Sequence, residues 1–181
     1  MALCRDAGHT LLEEPSGADV VVINTCGFID SAKEEAIDTI LSVAQLKAEG
    51  QVQKLLVTGC LTQRYQQEIL TELPEVDGIM GTGSYGEIVS ALAELMSGGR
   101  PCRFADIHGM LDEFDRVLTT PKHYAYLRIA EGCDNRCAYC VIPSLRGRYR
   151  SRPMEKVLAE ARRLADAGVK ECIVIAQDIT R

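Results

Sequence analysis

The sequence has 181 residues, and its balance of 46% hydrophobic and 25% charged residues is typical of a folded protein and excludes an intrinsically disordered chain. The formal net charge of −6 argues against a protein whose main task is to neutralise nucleic-acid phosphates. Apolar runs are far shorter than the roughly 18–20 residues of a membrane span, and the N-terminus lacks the features of a secretory signal, so we expect a cytoplasmic protein without a membrane partner.

Short apolar strands alternate with amphipathic helices in the first half of the chain. A continuous β-branched run predicts a buried strand over 18–24, and apolar residues at helical spacing predict a helix over 31–48. The pattern then repeats, with strands predicted over 54–58 and 78–80 and helices over 63–70 and 84–96. Alternation of this kind predicts an α/β fold, in which helices cover a parallel sheet.

A polar, irregular stretch interrupts this pattern at Gly98-Gly99-Arg100-Pro101. We interpret residues 98–122 as a linker between an N-terminal domain over 1–97 and a second domain over 123–181. The second domain is predicted to contain a strand over 124–129, a cysteine-rich loop, a helix over 153–167 and a strand over 170–176. Because two strands leave sheet edges uncovered, we expect the sequence to stop within this domain.

Three cysteines of the second domain, Cys133, Cys137 and Cys140, have a C-x3-C-x2-C spacing directly after a predicted strand. In a chain with no secretory signal, clustered cysteines indicate metal binding or catalysis rather than disulfides. Three thiolates can bind three irons of a cubane cluster and leave the fourth iron open for reaction. A zinc site is the alternative, although structural zinc takes four ligands and no further Cys or His closely follows Cys140.

This loop resembles that of the radical-SAM superfamily, in which S-adenosylmethionine chelates the open iron and is cleaved to a deoxyadenosyl radical. Tyr139 matches the aromatic residue that commonly precedes the last cysteine of the loop. Further segments resemble the methylthiotransferases of this superfamily, and they are residues 24–35, 58–61, 131–143, 146–152 and 176–181. The resemblance covers nearly the whole chain and implies a parallel-sheet methylthiotransferase domain followed by the start of a radical-SAM partial (β/α) barrel.

The resemblance also implies two 4Fe-4S clusters, S-adenosylmethionine, and an electron donor such as flavodoxin or ferredoxin. Cys133, Cys137 and Cys140 match the ligands of the cluster that cleaves S-adenosylmethionine. Cys26 and Cys60, each just after a predicted strand, match two of the three cysteines that bind an auxiliary cluster. The third family cysteine belongs to a segment that has no counterpart here, and Cys4 is not its equivalent, so we expect a short N-terminal piece to be missing.

Within the family, the chain is most similar to enzymes that add a methylthio group to the β-carbon of an aspartate in small-subunit ribosomal protein S12. The implied partner is therefore that protein or the ribosome. Methylthiolation of a tRNA adenosine is the alternative, and an inactive iron-sulfur or zinc module is another. Ala176-Gln177-Asp178 favours the first function, because tRNA-modifying relatives commonly have Gly-Gln-Asn there. Gln177 and Asp178 follow a predicted barrel strand, so we predict that they help to bind the cofactor.

Other patterns in the sequence are weaker. Residues 81–86 form a literal G-x-G-x-x-G, which we interpret as a turn before a helix rather than a dinucleotide site, because no strand-borne acid follows. A basic run over 146–152 carries four arginines close to the cysteine loop, which favours a functional contact over a solvated surface. Cys102 and Cys172 are interpreted as non-ligands, and Cys172 is predicted to be buried in its strand.

Overall fold

The computed structural model describes residues 1–109 and 116–180. The chain divides into two compact units, Met1–Ile107 and His108–Arg181. Each unit is described by itself. Within the described residues every helix is too short or too polar to cross a membrane.

A four-stranded parallel sheet forms the first unit, in the order β1-β2-β3-β4. Its strands are β1 (Val20–Thr25), β2 (Lys54–Gly59), β3 (Gly78–Met80) and β4 (Cys102–Arg103). Thr25 pairs with Gly59 at the end of the β1–β2 ladder, so both strands terminate at the same edge. The predicted parallel sheet is confirmed. β4 lies inside the stretch 98–122 that was interpreted as a linker, and the domain boundaries stay a prediction.

Helices cover both faces of this sheet. They are α1 (Ala2–Asp6), α2 (Asp30–Ala48), α3 (Cys60–Tyr65), α4 (Gln67–Glu72) and α5 (Ile88–Met96), with a 3-10 turn at Tyr85–Glu87. One buried cluster joins Ile40 of α2 to Leu55 and Val57 of β2, and another joins Leu95 of α5 to Leu56. Alternate residues of β2 therefore face opposite layers of the core, which is the arrangement of a parallel sheet buried on both sides.

The second unit is built on two parallel strands, β5 (Tyr124–Arg128) and β8 (Glu171–Ile175). Helix α7 (Met154–Asp166) packs on β5 through the buried residues Ala125, Leu127 and Leu164. In the chain between β5 and α7, strand β6 (Ala130–Glu131) pairs antiparallel with β7 (Arg150–Ser151). A short helix, α6 (Ile142–Arg146), lies between these two strands in sequence.

The prediction that Cys172 is buried is wrong, because its side chain is exposed on β8. An apolar run predicts burial only where another layer covers the strand. In this unit the buried cluster is formed by residues of β5 and α7, and Val174 and Ile175 of β8 are 49% and 41% exposed.

Candidate functional site

The cysteine loop lies between β6 and α6, and its thiols are accessible to solvent. Cys133 and Cys140 are half-buried and Cys137 is exposed. None of the eight cysteines, all of which lie in the described residues, forms a disulfide. Three free thiols on one short loop are the donor set that an iron-sulfur cluster requires.

The thiols of this loop do not converge on one point. Within residues 1–109 and 116–180, no three Cys, His, Asp or Glu side chains are close enough together to hold a metal ion. The residues present fit an iron-sulfur cluster in number and chemistry, and their sulfur atoms must be drawn together when it binds. Binding of a metal group and ordering of the loop are then one coupled process.

The base of the loop is tightly built around Gly132. This residue is buried and has a φ of +78°, the left-handed region that favours glycine. A Cβ added there would lie 2.1 Å from the carbonyl oxygen of Arg148. The N–H of Cys133 donates a hydrogen bond to the carbonyl oxygen of Gly147 at 3.2 Å, so the start of the loop lies beside the chain that follows α6.

Glu131 fixes the same region electrostatically. It is 7% exposed, and its carboxylate pairs with Arg128 of β5 and, at 2.8 Å, with Nη1 of Arg146 at the end of α6. A buried carboxylate requires such partners because its desolvation is otherwise costly. Glu131 was not among the residues predicted from the sequence. Its position could have suggested a role, because this acid directly precedes the cysteine loop and arginines stand on both sides of that loop, at Arg128 and Arg146.

Arginines of the basic run make contacts inside the second unit. Arg150 donates from Nη1 to the carbonyl oxygen of Gly109 at 2.9 Å, and from Nη2 to that of Arg146 at 2.6 Å. Arg152 pairs with the buried carboxylate of Glu160 at 2.6 Å. Through these contacts the arginine run has a structural role: it holds β7 and the chain between α6 and β7 in place.

Residues that follow β8 reach the cysteine loop. Gln177 Oε1 accepts a hydrogen bond from the N–H of Gly132 at 2.9 Å, and Asp178 Oδ2 accepts one from Asn135 Nδ2 at 3.1 Å. Tyr139, in contrast, is 89% exposed. Two of the predicted cofactor residues are therefore brought against the loop, while the aromatic ring projects into solvent.

Cys26 and Cys60 lie at the same edge of the sheet in the first unit. Cys26 follows β1 and is exposed, and Cys60 begins α3 directly after β2 and is buried. A Cβ added to Gly27 would lie 2.8 Å from the Cα of Leu61, so the two cysteine-bearing segments are in backbone contact. The Arg64 guanidinium also donates to the carbonyl oxygen of Gly27 at 3.0 Å.

Thr58, two residues before Cys60, carries a buried hydroxyl at this edge. Among the side chains that the structure describes, its oxygen is buried without a hydrogen-bond partner. Buried polar atoms are nearly always paired, so an orphan of this kind is compatible with a group that the protein binds here. The two cysteines supply two thiols suited to bind a metal cluster, and the buried hydroxyl lies on the strand that leads to one of them.

Comparison with known proteins finds matches in both units of the chain. Residues 1–81 match the uncharacterized protein family UPF0004, and residues 127–180 match the radical SAM superfamily. The chain is 50% identical over 182 residues to the ribosomal protein uS12 methylthiotransferase RimO of Clostridioides difficile (strain 630), covering 100% of this chain and 41% of that protein. It is 48% identical over 181 residues to the RimO of Symbiobacterium thermophilum, covering 99% and 37%. The chain is thus similar to RimO proteins over its whole length, and its second unit is similar to the radical SAM superfamily.

The chain spans about two fifths of the length of the curated relatives that it matches. One solved structure, of the radical S-adenosylmethionine methyltransferase TsrM from Kitasatospora setae, aligns with a TM-score of 0.59 and covers 92% of this chain and 38% of that one. Its sequence identity is 13%, so this likeness shows the fold alone. Similarity to the radical SAM superfamily implies 4Fe-4S and S-adenosylmethionine chemistry in general, for which the cysteine loop supplies suitable donors.

The G-x-G-x-x-G segment has a packing role in this chain. A Cβ on Gly81 would lie 2.2 Å from Oε1 of Gln63, and one on Gly83 would lie 2.7 Å from the carbonyl oxygen of Ala105. Gln63 Oε1 also accepts a hydrogen bond from the N–H of Thr82 at 3.0 Å. The glycines thus allow neighbouring chain segments to approach, which agrees with the interpretation of a turn.

Proposed function

We propose that the protein carrying this sequence is a radical-SAM methylthiotransferase that adds a methylthio group to the β-carbon of an aspartate in ribosomal protein uS12. The observation that carries the proposal is the C-x3-C-x2-C loop at the carboxyl end of β6, in a chain half identical to RimO proteins over its whole length. The tRNA alternative is not favoured, because these relatives are named for uS12. We further propose a cytoplasmic protein that receives electrons from a flavodoxin or ferredoxin.

Cys133, Cys137 and Cys140 are proposed to hold the 4Fe-4S cluster, with S-adenosylmethionine at its open iron. When bound, this cluster supplies the electron for reductive cleavage of S-adenosylmethionine. The protein itself would position the cluster. Gly132 and Glu131 fix the backbone that leads into the loop, and the three thiolates would bind the irons. Tyr139, next to the last ligand, is proposed to cover the bound cofactor with its exposed ring.

Cys26 and Cys60 are proposed to be two of the ligands of an auxiliary cluster. Their segments touch at Gly27 and Leu61, and both follow strands of one parallel sheet, the edge at which open α/β sheets bind ligands. The domain division at residues 97 and 123 is proposed to separate this cluster's domain from the radical-SAM domain.

Anaerobic reconstitution with iron and sulfide tests the first assignment. We expect the chain to bind iron and to give an electron paramagnetic resonance spectrum that changes when S-adenosylmethionine is added. Cys137→Ala should abolish this response, because only two thiols of the loop would then remain. Cys172→Ala is the matched control, since that thiol is also exposed but lies on β8, and it should leave the response unchanged.

A response to S-adenosylmethionine that survives in Cys137→Ala would contradict the assignment, and so would binding of zinc in place of iron. The substrate is tested separately with the longest protein that contains this sequence. Mass spectrometry of uS12 and of tRNA after the reaction should show the methylthio mass increase on the aspartate of uS12. An increase on tRNA alone would overturn the proposed substrate.

A further inference from the structure

We propose that Gln177 and Asp178 are positioning residues of the cysteine loop, which hold the Gly132 backbone and the Asn135 side chain on either side of Cys133 before any cofactor is bound. Both were predicted from the sequence to help to bind the cofactor. Their oxygens accept hydrogen bonds from the loop, so we infer that they serve the site through the first ligand. The inference rests on the proposed function for its purpose, while the contacts themselves do not depend on it.

Parallel pairing of β5 and β8 brings the two segments together. Arg128 pairs with Ile175 at the end of this ladder, and the N–H of Ile129 donates to the carbonyl oxygen of Ile175 at 3.1 Å. The chain beyond β8 therefore runs beside the chain that leads into the cysteine loop. Gln177 comes to lie opposite Gly132 because both follow the end of this ladder by a few residues.

The contact of Gln177 satisfies the N–H of a buried residue. The side chain of Gln177 is exposed, and its Oε1 accepts a hydrogen bond from the N–H of buried Gly132 at 2.9 Å. A buried N–H without an acceptor is unfavourable, so removal of this side chain favours conformations in which the base of the loop opens to water. Gly132 directly precedes the half-buried Cys133, so such opening exposes the first thiol further.

Asp178 holds the other side of Cys133. Its Oδ1 accepts hydrogen bonds from the N–H and the hydroxyl of Thr180, at 2.9 and 2.7 Å, which orient the carboxylate. Its Oδ2 then accepts a hydrogen bond from Asn135 at 3.1 Å. Together with the bond from the Cys133 N–H to the Gly147 carbonyl, these contacts restrain the loop from residue 132 to residue 135.

The reactivity of each thiol in the cofactor-free chain tests the inference. The reduced chain is treated with iodoacetamide for increasing times, and mass spectrometry gives the alkylation rate of every cysteine. We expect Gln177→Ala to accelerate alkylation of Cys133 about threefold to tenfold, the factor by which one net hydrogen bond changes a local opening equilibrium. Cys102 in the first unit and Cys172 on β8 should react at unchanged rates.

Two further variants make the result specific. Gln177→Glu keeps an acceptor oxygen for the Gly132 N–H, so it should return Cys133 to the original rate or below it. Ile179→Ala is the matched control, since this side chain is 60% exposed in the same segment, and it should change nothing. An unchanged rate for Cys133 in Gln177→Ala would overturn the inference. An equal acceleration of Cys172 would also overturn it, because Gln177 would then stabilise the sheet rather than the loop.

A second measurement connects the contact to cluster binding. In the reconstituted chain, the half-time of iron loss to a chelator should shorten by a similar factor in Gln177→Ala and recover in Gln177→Glu. Half-times equal to that of the unmodified chain would show that the contact does not serve the cluster and would overturn the inference. A chain that binds no iron at all would overturn the proposed function, while the thiol rates would still decide whether Gln177 positions the loop.

Discussion

Replacing Gly132 by alanine measures how rigid the base of the cysteine loop is. The added Cβ would lie 2.1 Å from the carbonyl oxygen of Arg148 and 2.6 Å from that of Gly147. Both neighbours are backbone atoms, so the chain itself must move by about 1 Å to restore van der Waals contact. The φ of +78° adds a cost of about 1–2 kcal/mol for an L-residue. With roughly 1–3 kcal/mol of overpacking strain, we expect the free energy of unfolding to fall by about 2–5 kcal/mol.

Urea unfolding of the 181-residue chain, followed by circular dichroism, gives this difference from the shift of the midpoint. Gly168→Ala is the matched control in the same unit. Gly168 has a φ of +92°, but a Cβ there would meet nothing within 4 Å, so this variant has only the backbone cost of about 1–2 kcal/mol. Equal losses of unfolding free energy in the two variants would refute the reasoning. They would show that the backbone of Gly147 and Arg148 moves aside without strain.

Two other substitutions test charged groups. Glu131→Gln should lower the free energy of unfolding by about 1–3 kcal/mol, because it weakens the charge-assisted hydrogen bonds of a buried side chain, and an unchanged urea midpoint would contradict this. Burial alone would raise the pKa of Asp77, but hydrogen bonds from Lys47, the N–H of Leu55 and Lys54 outweigh it and hold that pKa below its ordinary value. The resulting stability is present above about pH 4 and is lost as the pH falls through the lowered pKa. Asp77→Asn should therefore unfold with a flatter acid dependence than the original chain, and parallel profiles between about pH 2 and pH 6 would contradict this.

The fold could be predicted where an element is long enough to show its own period. The helix predicted over 31–48 is found at Asp30–Ala48, because many apolar residues repeat along it. The helix predicted over 63–70 is divided in the structure, since Gln66 has a φ of +44° that ends α3 and begins α4. β4 has only two residues, too few for a period, and it forms because β3 offers a parallel partner.

The sequence predicts which residue types could act as ligands in the candidate site. It does not predict which residues contact one another there. A C-x3-C-x2-C spacing can be read along the chain, whereas the bond between Gln177 and Gly132 depends on the register of two strands far apart in sequence. Register follows from packing and pairing, which a single sequence shows poorly. The functional contact predicted for the arginine run stays a prediction, and the internal contacts of these arginines depend on the same tertiary arrangement.

The base of the loop and its tip differ in a way that suits cluster binding. Gly132 and the N–H of Cys133 are held by backbone and side-chain partners, whereas Cys137 and Tyr139 are exposed. Ordering a residue costs free energy, and every residue already ordered reduces the cost that a ligand must offset. Under the proposed assignment, a loop whose base is already held needs to rearrange only its exposed tip when the three thiols close on a cluster. The first thiol would then serve as a fixed point around which the other two assemble.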